Sequence, residues 1–183
     1  MAYRNGNYVA FYVAEPFGPS NLGAYVARDF VYYQILRAWK ASDRNFPFVD
    51  SHEKTYNVRD GSDWESTLKP RLRARLRNSK NIVLFLSSST KASRALIEEI
   101  EYGVGVLGLP MIVAYPELDS LVDRDGIFGN EVFMLWGKVP AFERLMDTVP
   151  TLHILMKKEC FEMALQKPEF MVQTKCKPGM YRL

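Results

Sequence analysis

The chain is 183 residues long and 48% apolar, enough to build and bury the core of one domain of ordinary size. Its 24 basic and 21 acidic residues leave a formal charge of +3, without the cationic excess of a nucleic-acid binder. The two cysteines, Cys160 and Cys176, have no paired spacing, no stretch approaches the roughly 18 apolar residues of a membrane span, and residues 1–7 carry no basic-then-apolar leader. These features argue against a disulfide framework, a zinc cluster and export, and point to a cytoplasmic protein without a membrane partner.

Residues 8–14 (YVAFYVA) form a short apolar run rich in aromatic and β-branched side chains, as expected of a strand buried on both faces. Two prolines and a glycine in the segment Glu15 to Asn21 end it in a loop. Val26, Phe30, Tyr33, Leu36 and Trp39 recur at spacings of three and four, which predicts an amphipathic helix over 24–40. Phe46 to Val49 reads as a second short strand, and 50–63 as a long polar loop. Leu68, Leu72 and Leu76 predict a surface helix over 64–78, with Ser62 or Asp63 as its cap. Residues 81–87 (NIVLFLS) are the strongest strand signal, and the run Ser87-Ser88-Ser89-Thr90 leads from them to a third helix over about 93–107.

Gly108-Leu109-Pro110 breaks that helix, and Met111 to Tyr115 forms a fourth buried strand. From 117 to 138 the periodicity is lost, which predicts a loop with one short helix. A short helix over 140–147, a fifth strand over 151–156, a closing helix over 157–166 and an irregular tail from 167 complete the chain. Strands alternating with helices at this spacing require parallel pairing with right-handed crossovers. The predicted fold class is therefore α/β, a single-domain flavodoxin-like three-layer sandwich with a five-stranded parallel sheet in the order 2-1-3-4-5. Ligands of such sheets bind outside the carboxyl ends of the strands beside the first strand, here between the loops after Ala14, Asp50 and Ser87.

Several familiar chemistries lack their motifs: there is no G-x-G-x-x-G after the first strand, no phosphate-binding G-x-x-x-x-G-K-[ST], no H-E-x-x-H, no C-x-x-C and no G-x-S-x-G. His52 and His153 are the only imidazoles, and His153, alternating with Leu152 and Ile154, reads as a structural histidine. The basic run from Lys69 to Lys80 reads as a solvated helix face. Three glutamates, Glu98, Glu99 and Glu101, lie along the third helix. Spacing alone favours a solvated acidic face that complements the helix dipole, although one of them can reach the crevice.

The stretch from Asn81 to Glu117, comprising NIVLFLSSST, SRALIEEIEYG and LPMIVAYPE, resembles the TIR-like family that includes the ThsB proteins of Thoeris anti-phage defence. The early FYVAEPFG and FVDSHE segments and the Asp63-Trp64 helix entry are compatible with that resemblance, which extends from about Tyr8 to Gln166. It implies an enzyme that cleaves NAD to nicotinamide and a cyclic or linear ADP-ribose signal, with NAD as substrate and no cofactor or metal. A separate effector would receive the diffusible signal, a phage-derived trigger would start the reaction, and like chains would self-associate.

By the same resemblance, Glu99, followed by Ile100, matches the family's glutamate-isoleucine pair, with Glu98 as runner-up because the acid is doubled here. Such a carboxylate, bonded to ribose hydroxyls, stabilises the oxocarbenium-like ribose left as nicotinamide departs. Around it, Phe11, Tyr12, Phe17, Asn21, Asp50 and His52 are candidates for contacting substrate. Phe11 and Tyr12 alternate, so at least one belongs to the core, and Asp50 is equally well placed as a turn-former. His52 and the loop from Glu53 to Asp60 correspond to the segment through which TIR domains associate. The competing readings are a non-catalytic nucleotide-binding or assembly module and a receiver domain. The receiver lacks its aspartate cluster, since Glu15 stands alone after the first strand.

Overall fold

Strands that are apolar in both side-chain registers must be covered on both faces. The computed structural model, which describes residues 4–12, 28–52, 63–173 and 176–183, has that arrangement. Among the described residues, β1 (Gly6–Ala10), β2 (Ser79–Phe85), β3 (Met111–Tyr115), β4 (Pro150–Leu155) and β5 (Gly179–Arg182) pair in parallel in chain order. The helices are α1 (Arg28–Ser42), α2 (Lys69–Arg77), α3 (Arg94–Ile100), α4 (Asn130–Trp136), α5 (Pro140–Leu145) and α6 (Lys158–Gln166). A π-helical turn, Trp64–Leu68, leads into α2, and a second, Glu101–Val106, continues α3.

The two cores follow the period-two alternation of the strands. Tyr8, Ala10, Ile82, Leu84, Met111, Val113 and Tyr115 pack under α2 to α5, against Leu72, Leu76, Leu96, Ile100, Trp136 and Phe142. Val9, Val83, Phe85, Ile112, Ala114, Leu152 and Ile154 pack under α1 and α6, against Tyr33, Leu36, Phe161 and Leu165. The result is the expected α/β three-layer arrangement around a five-stranded parallel sheet. No helix among the described residues is long and apolar enough to cross a membrane.

Two expectations about the sheet are corrected. The full strands run 1-2-3-4-5 in chain order rather than 2-1-3-4-5, because Phe46 to Val49, though beside β1 as expected, contributes no full strand and drops out of the numbering. It lies along β1 and makes a single parallel bridge, Asn7 to Asp50. Pro47 has no N–H to donate, and the Val49 N–H goes to the Asn7 side chain instead of a strand backbone. The fifth strand comes from the tail expected to be irregular: β5 pairs with β4 from Pro150/Gly179 to His153/Arg182, after a 3₁₀ turn at Pro168–Phe170. β1 ends at Ala10 rather than Ala14 within the described residues, and β2 starts two residues earlier than expected.

Buried polar ladders join these pieces. Asn7 donates to Asn81 Oδ1 (2.8 Å), Asn81 donates to the Phe170 carbonyl (2.9 Å), and both asparagines are fully buried. Asp29, buried in the first turn of α1, accepts from the hydroxyls of Ser87 (2.5 Å), Ser89 (3.1 Å) and Thr90 (2.9 Å), which ties that helix to the loop after β2. His153 is buried, as its alternation in the strand implied. Trp136 donates to the Tyr115 hydroxyl (2.6 Å), which lies 2.7 Å from His153 Nδ1, and burial pushes the imidazole down to about 3.

Asn81→Ala leaves the Asn7 amide and the Phe170 carbonyl without their buried partner, and each such orphan costs about 1–3 kcal/mol. The variant is expected to lose about 2–4 kcal/mol of unfolding free energy in urea, with an unchanged m-value. A loss below about 0.5 kcal/mol would show that the ladder is not holding the edge.

Candidate functional site

α3 begins at Ser93, whose hydroxyl accepts the Leu96 N–H at 3.2 Å. Leu96, Glu99, Ile100 and Gly103 then follow at i, i+3, i+4 and i+7, the inward stripe of a helix laid on a sheet. At Gly103 an added Cβ would sit 2.5 Å from Ile82 Cδ1, so the missing side chain lets this segment lie close on β2. Glu99 therefore faces the sheet, half-buried, with its carboxylate turned inward. Glu98, one step round the helix, faces α2, with Arg73 Nε at 2.6 Å and Lys69 Nζ at 3.7 Å.

The Glu99 carboxylate meets the hydroxyl of Tyr8, which donates to Oε1 at 2.7 Å from the middle of β1. Its Oε2 is sealed from solvent and has no hydrogen-bond partner among the described residues. Burial pushes the Glu99 carboxyl up to about 8, against the opposing pull of the Tyr8 hydrogen bond and the Arg75 charge. The Tyr8 phenol is itself pushed well above its ordinary value, first by burial and then by the neighbouring glutamate. Arg75 on α2 is half-buried, and burial lowers its pKa while Tyr8, Tyr33, Asp50 and Glu99 oppose that shift.

His52 closes the cluster beside β1, next to the Asn7–Asp50 bridge. Its ring lies 4.8 Å from that of Tyr8 and 5.8 Å from that of Tyr33. Arg75 Nη1 is 3.4 Å from Nδ1, which makes Nδ1 an acceptor and assigns the ring proton to Nε2, 3.0 Å from the Val9 carbonyl. The Val9 N–H lies 3.3 Å from the same nitrogen, so an imidazole stands where a neighbouring strand would pair. Burial pushes His52 down to about 4, which leaves it neutral at pH 7. Asp50 is fixed at both oxygens, by the His52 N–H (2.8 Å) and the Tyr33 hydroxyl (2.6 Å), and Phe11 stacks on Tyr33 at 5.5 Å.

The structure thus joins Glu99, His52, Asp50 and Phe11 of the sequence-derived set through Tyr8 and Tyr33. Tyr12 is partly buried against the core under α2 to α5, and Phe11 against the opposite core. Asp50 does the work of a turn-former, bonding the backbone two residues on, and also faces Tyr33. Phe17, Asn21 and the loop from Glu53 to Asp60 lie outside the described residues. Sequence reasoning missed Tyr8, hidden inside an apolar run, and Arg75, read as part of a solvated face. The leucines at 72 and 76 were the available signal, since a residue next to each must lie at the border of the buried stripe.

A family model described as Thoeris protein ThsB, TIR-like domain, matches residues 8–120. That stretch is more than half of the chain and contains Tyr8, Asp50, His52, Arg75 and Glu99, and the chain belongs to this family.

Glu99 ionises in the folded protein only at about pH 8, against an ordinary value of 4.5, so the folded state holds the extra proton between those limits. Stability that this group contributes as a neutral acid is present at low pH and is lost as pH rises through that window. Glu99→Gln is therefore expected to melt increasingly above the unaltered protein as pH rises from 4.5 to 8, with no further widening beyond. A melting-temperature difference independent of pH would mean that the carboxyl titrates normally.

Proposed function

We propose that this member of the ThsB TIR-like family consumes NAD in anti-phage defence, releasing nicotinamide and an ADP-ribose-type signal, cyclic or linear, that activates a separate effector. The observation that carries this reading is the position of Glu99: a carboxylate on the inward stripe of α3, held by Tyr8 at Oε1 and with an Oε2 that is sealed from solvent and has no partner among the described residues. A polar atom buried in this way carries an unmet hydrogen-bonding demand, and a ribose hydroxyl supplies the missing donor.

The chemistry follows from charge. The glycosidic bond between ribose C1′ and the pyridinium nitrogen breaks with its electron pair going to nitrogen, which leaves neutral nicotinamide and a cationic ribose. A carboxylate against the ribose hydroxyls stabilises that cation, and more strongly away from water than in it. Water captures C1′ with loss of a proton to give ADP-ribose, or a nucleophile of the same molecule captures it to give a cyclic product. The positive nicotinamide ring also favours the ionised form of Glu99 when substrate arrives, opposing the effect of burial. In this reading NAD is the substrate, no cofactor is used, and like chains associate through the segment around His52.

A non-catalytic nucleotide-binding or assembly module is the competing reading, favoured by the sealed Oε2 of Glu99, which suits a structural acid. The two separate in cells challenged with phage. Glu99→Gln is expected to lose protection and any new adenine-containing nucleotide in mass spectra of infected-cell lysate. Glu98→Gln, whose residue serves Arg73 and Lys69 in a partly exposed ion pair of small worth, is expected to keep both. Full protection by Glu99→Gln, with no NAD consumed by either protein, would leave only the assembly module.

A further inference from the structure

Glu99 is held by one oxygen. Its holder, Tyr8, is fully buried in the centre of β1, and its backbone is paired in register with Ile82 of β2. The ring is backed by the His52 imidazole at 4.8 Å, so the phenol reaches α3 from a rigid element with little rotamer freedom. A hydrogen bond of 2.7 Å to Oε1 then anchors that oxygen, while Oε2 is sealed from solvent and has no partner among the described residues. No motif marks Tyr8, and core packing alone would be served equally well by phenylalanine.

We propose, on the reading that Glu99 acts on NAD, that Tyr8 is the positioning residue of that glutamate, its hydroxyl holding Oε1 so that Oε2 is the oxygen presented to the substrate ribose. The groups around Glu99 give the hydroxyl a second effect. Tyr8 from β1 and Arg75 from α2 both favour the charged carboxylate, whereas burial opposes it. His52 lies behind Tyr8 and is neutral, Asp50 is tied to Tyr33, and Glu98 on the same helix is turned to Arg73 and Lys69. Removing the hydroxyl takes away the orientation of the carboxylate together with part of what keeps it ionised.

The test uses the full chain with Tyr8→Phe, and with 3-fluorotyrosine at residue 8, which keeps the hydroxyl and makes it a stronger donor. The readouts are the carboxyl ¹³C NMR titration of Glu99, assigned by its loss in Glu99→Gln, and kcat and KM for NAD across pH in the presence of infected-cell lysate. Tyr8→Phe is expected to move the Glu99 midpoint and the acid limb of kcat to higher pH. At neutral pH it should lower kcat about tenfold with KM within about threefold. The fluorinated residue should move both to lower pH. Midpoints and acid limbs that superimpose on the unaltered protein would overturn the proposal, and if Tyr8→Phe does not fold, the fluorinated protein alone decides. NAD consumption by Glu99→Gln equal to that of the unaltered protein would instead sink the functional reading, and the role of Tyr8 with it.

Discussion

A carboxylate on the inward stripe of α3 is the constraint around which this site is arranged. Burying an acid among leucines and isoleucines is costly unless the group stays neutral or finds donors, and both solutions leave their mark here. The acid is pushed towards its protonated form, one oxygen takes the Tyr8 hydroxyl, and the Arg75 charge opposes burial from the neighbouring helix. Arg75 in turn lies against His52, and the tyrosines and acids that counter its own desolvation belong to the same cluster. The groups are mutually dependent: the environment that makes one of them unusual is made of the others.

The sheet serves this cluster by its incompleteness. Where 46–50 would run on beside β1 as a strand, it makes one bridge and leaves, and the chain returns His52 to the vacated edge. A full strand there would occupy Val9 with backbone and leave no place for an imidazole between Tyr8 and Tyr33. On the far side the added strand from the C-terminal segment extends the sheet beyond β4. The sheet is five strands wide in either account, but its centre is displaced away from β1, which places Tyr8 on an outer strand beside the cluster.

The architecture was legible because it rests on period and punctuation. Runs such as 81–87 and 111–115 are too short and apolar to be anything but covered strands, and Pro110 and Pro116 mark the ends of the second while a Ser-Thr loop follows the first. Strand order was less legible, since Phe46 to Val49 has strand composition and only Pro47 betrays how little backbone it can pair, while Met180 and Tyr181 form a strand too brief to carry a period. Within the site, the doubled acid was more readable than it first appeared: Leu96, Ile100 and Gly103 define an inward stripe that includes 99 and omits 98. Tyr8 was not legible and Arg75 only as a residue bordering the Leu72–Leu76 stripe, because a hydroxyl at the end of a core ring and a guanidinium beside a polar face are distinguished by what lies opposite them in three dimensions.

The imidazole on Val9 has a consequence for solubility. An outer strand with unoccupied amide and carbonyl groups is a template onto which another chain can add, the usual route to edge-to-edge aggregation. Here the Nε2–H of His52 takes the C=O of Val9 and its ring stands over the neighbouring N–H, so an incoming strand meets a side chain rather than a ladder at this residue. Along β1 a side chain thus takes over at Val9 from the backbone pairing that Val49 and Ser51 give Asn7.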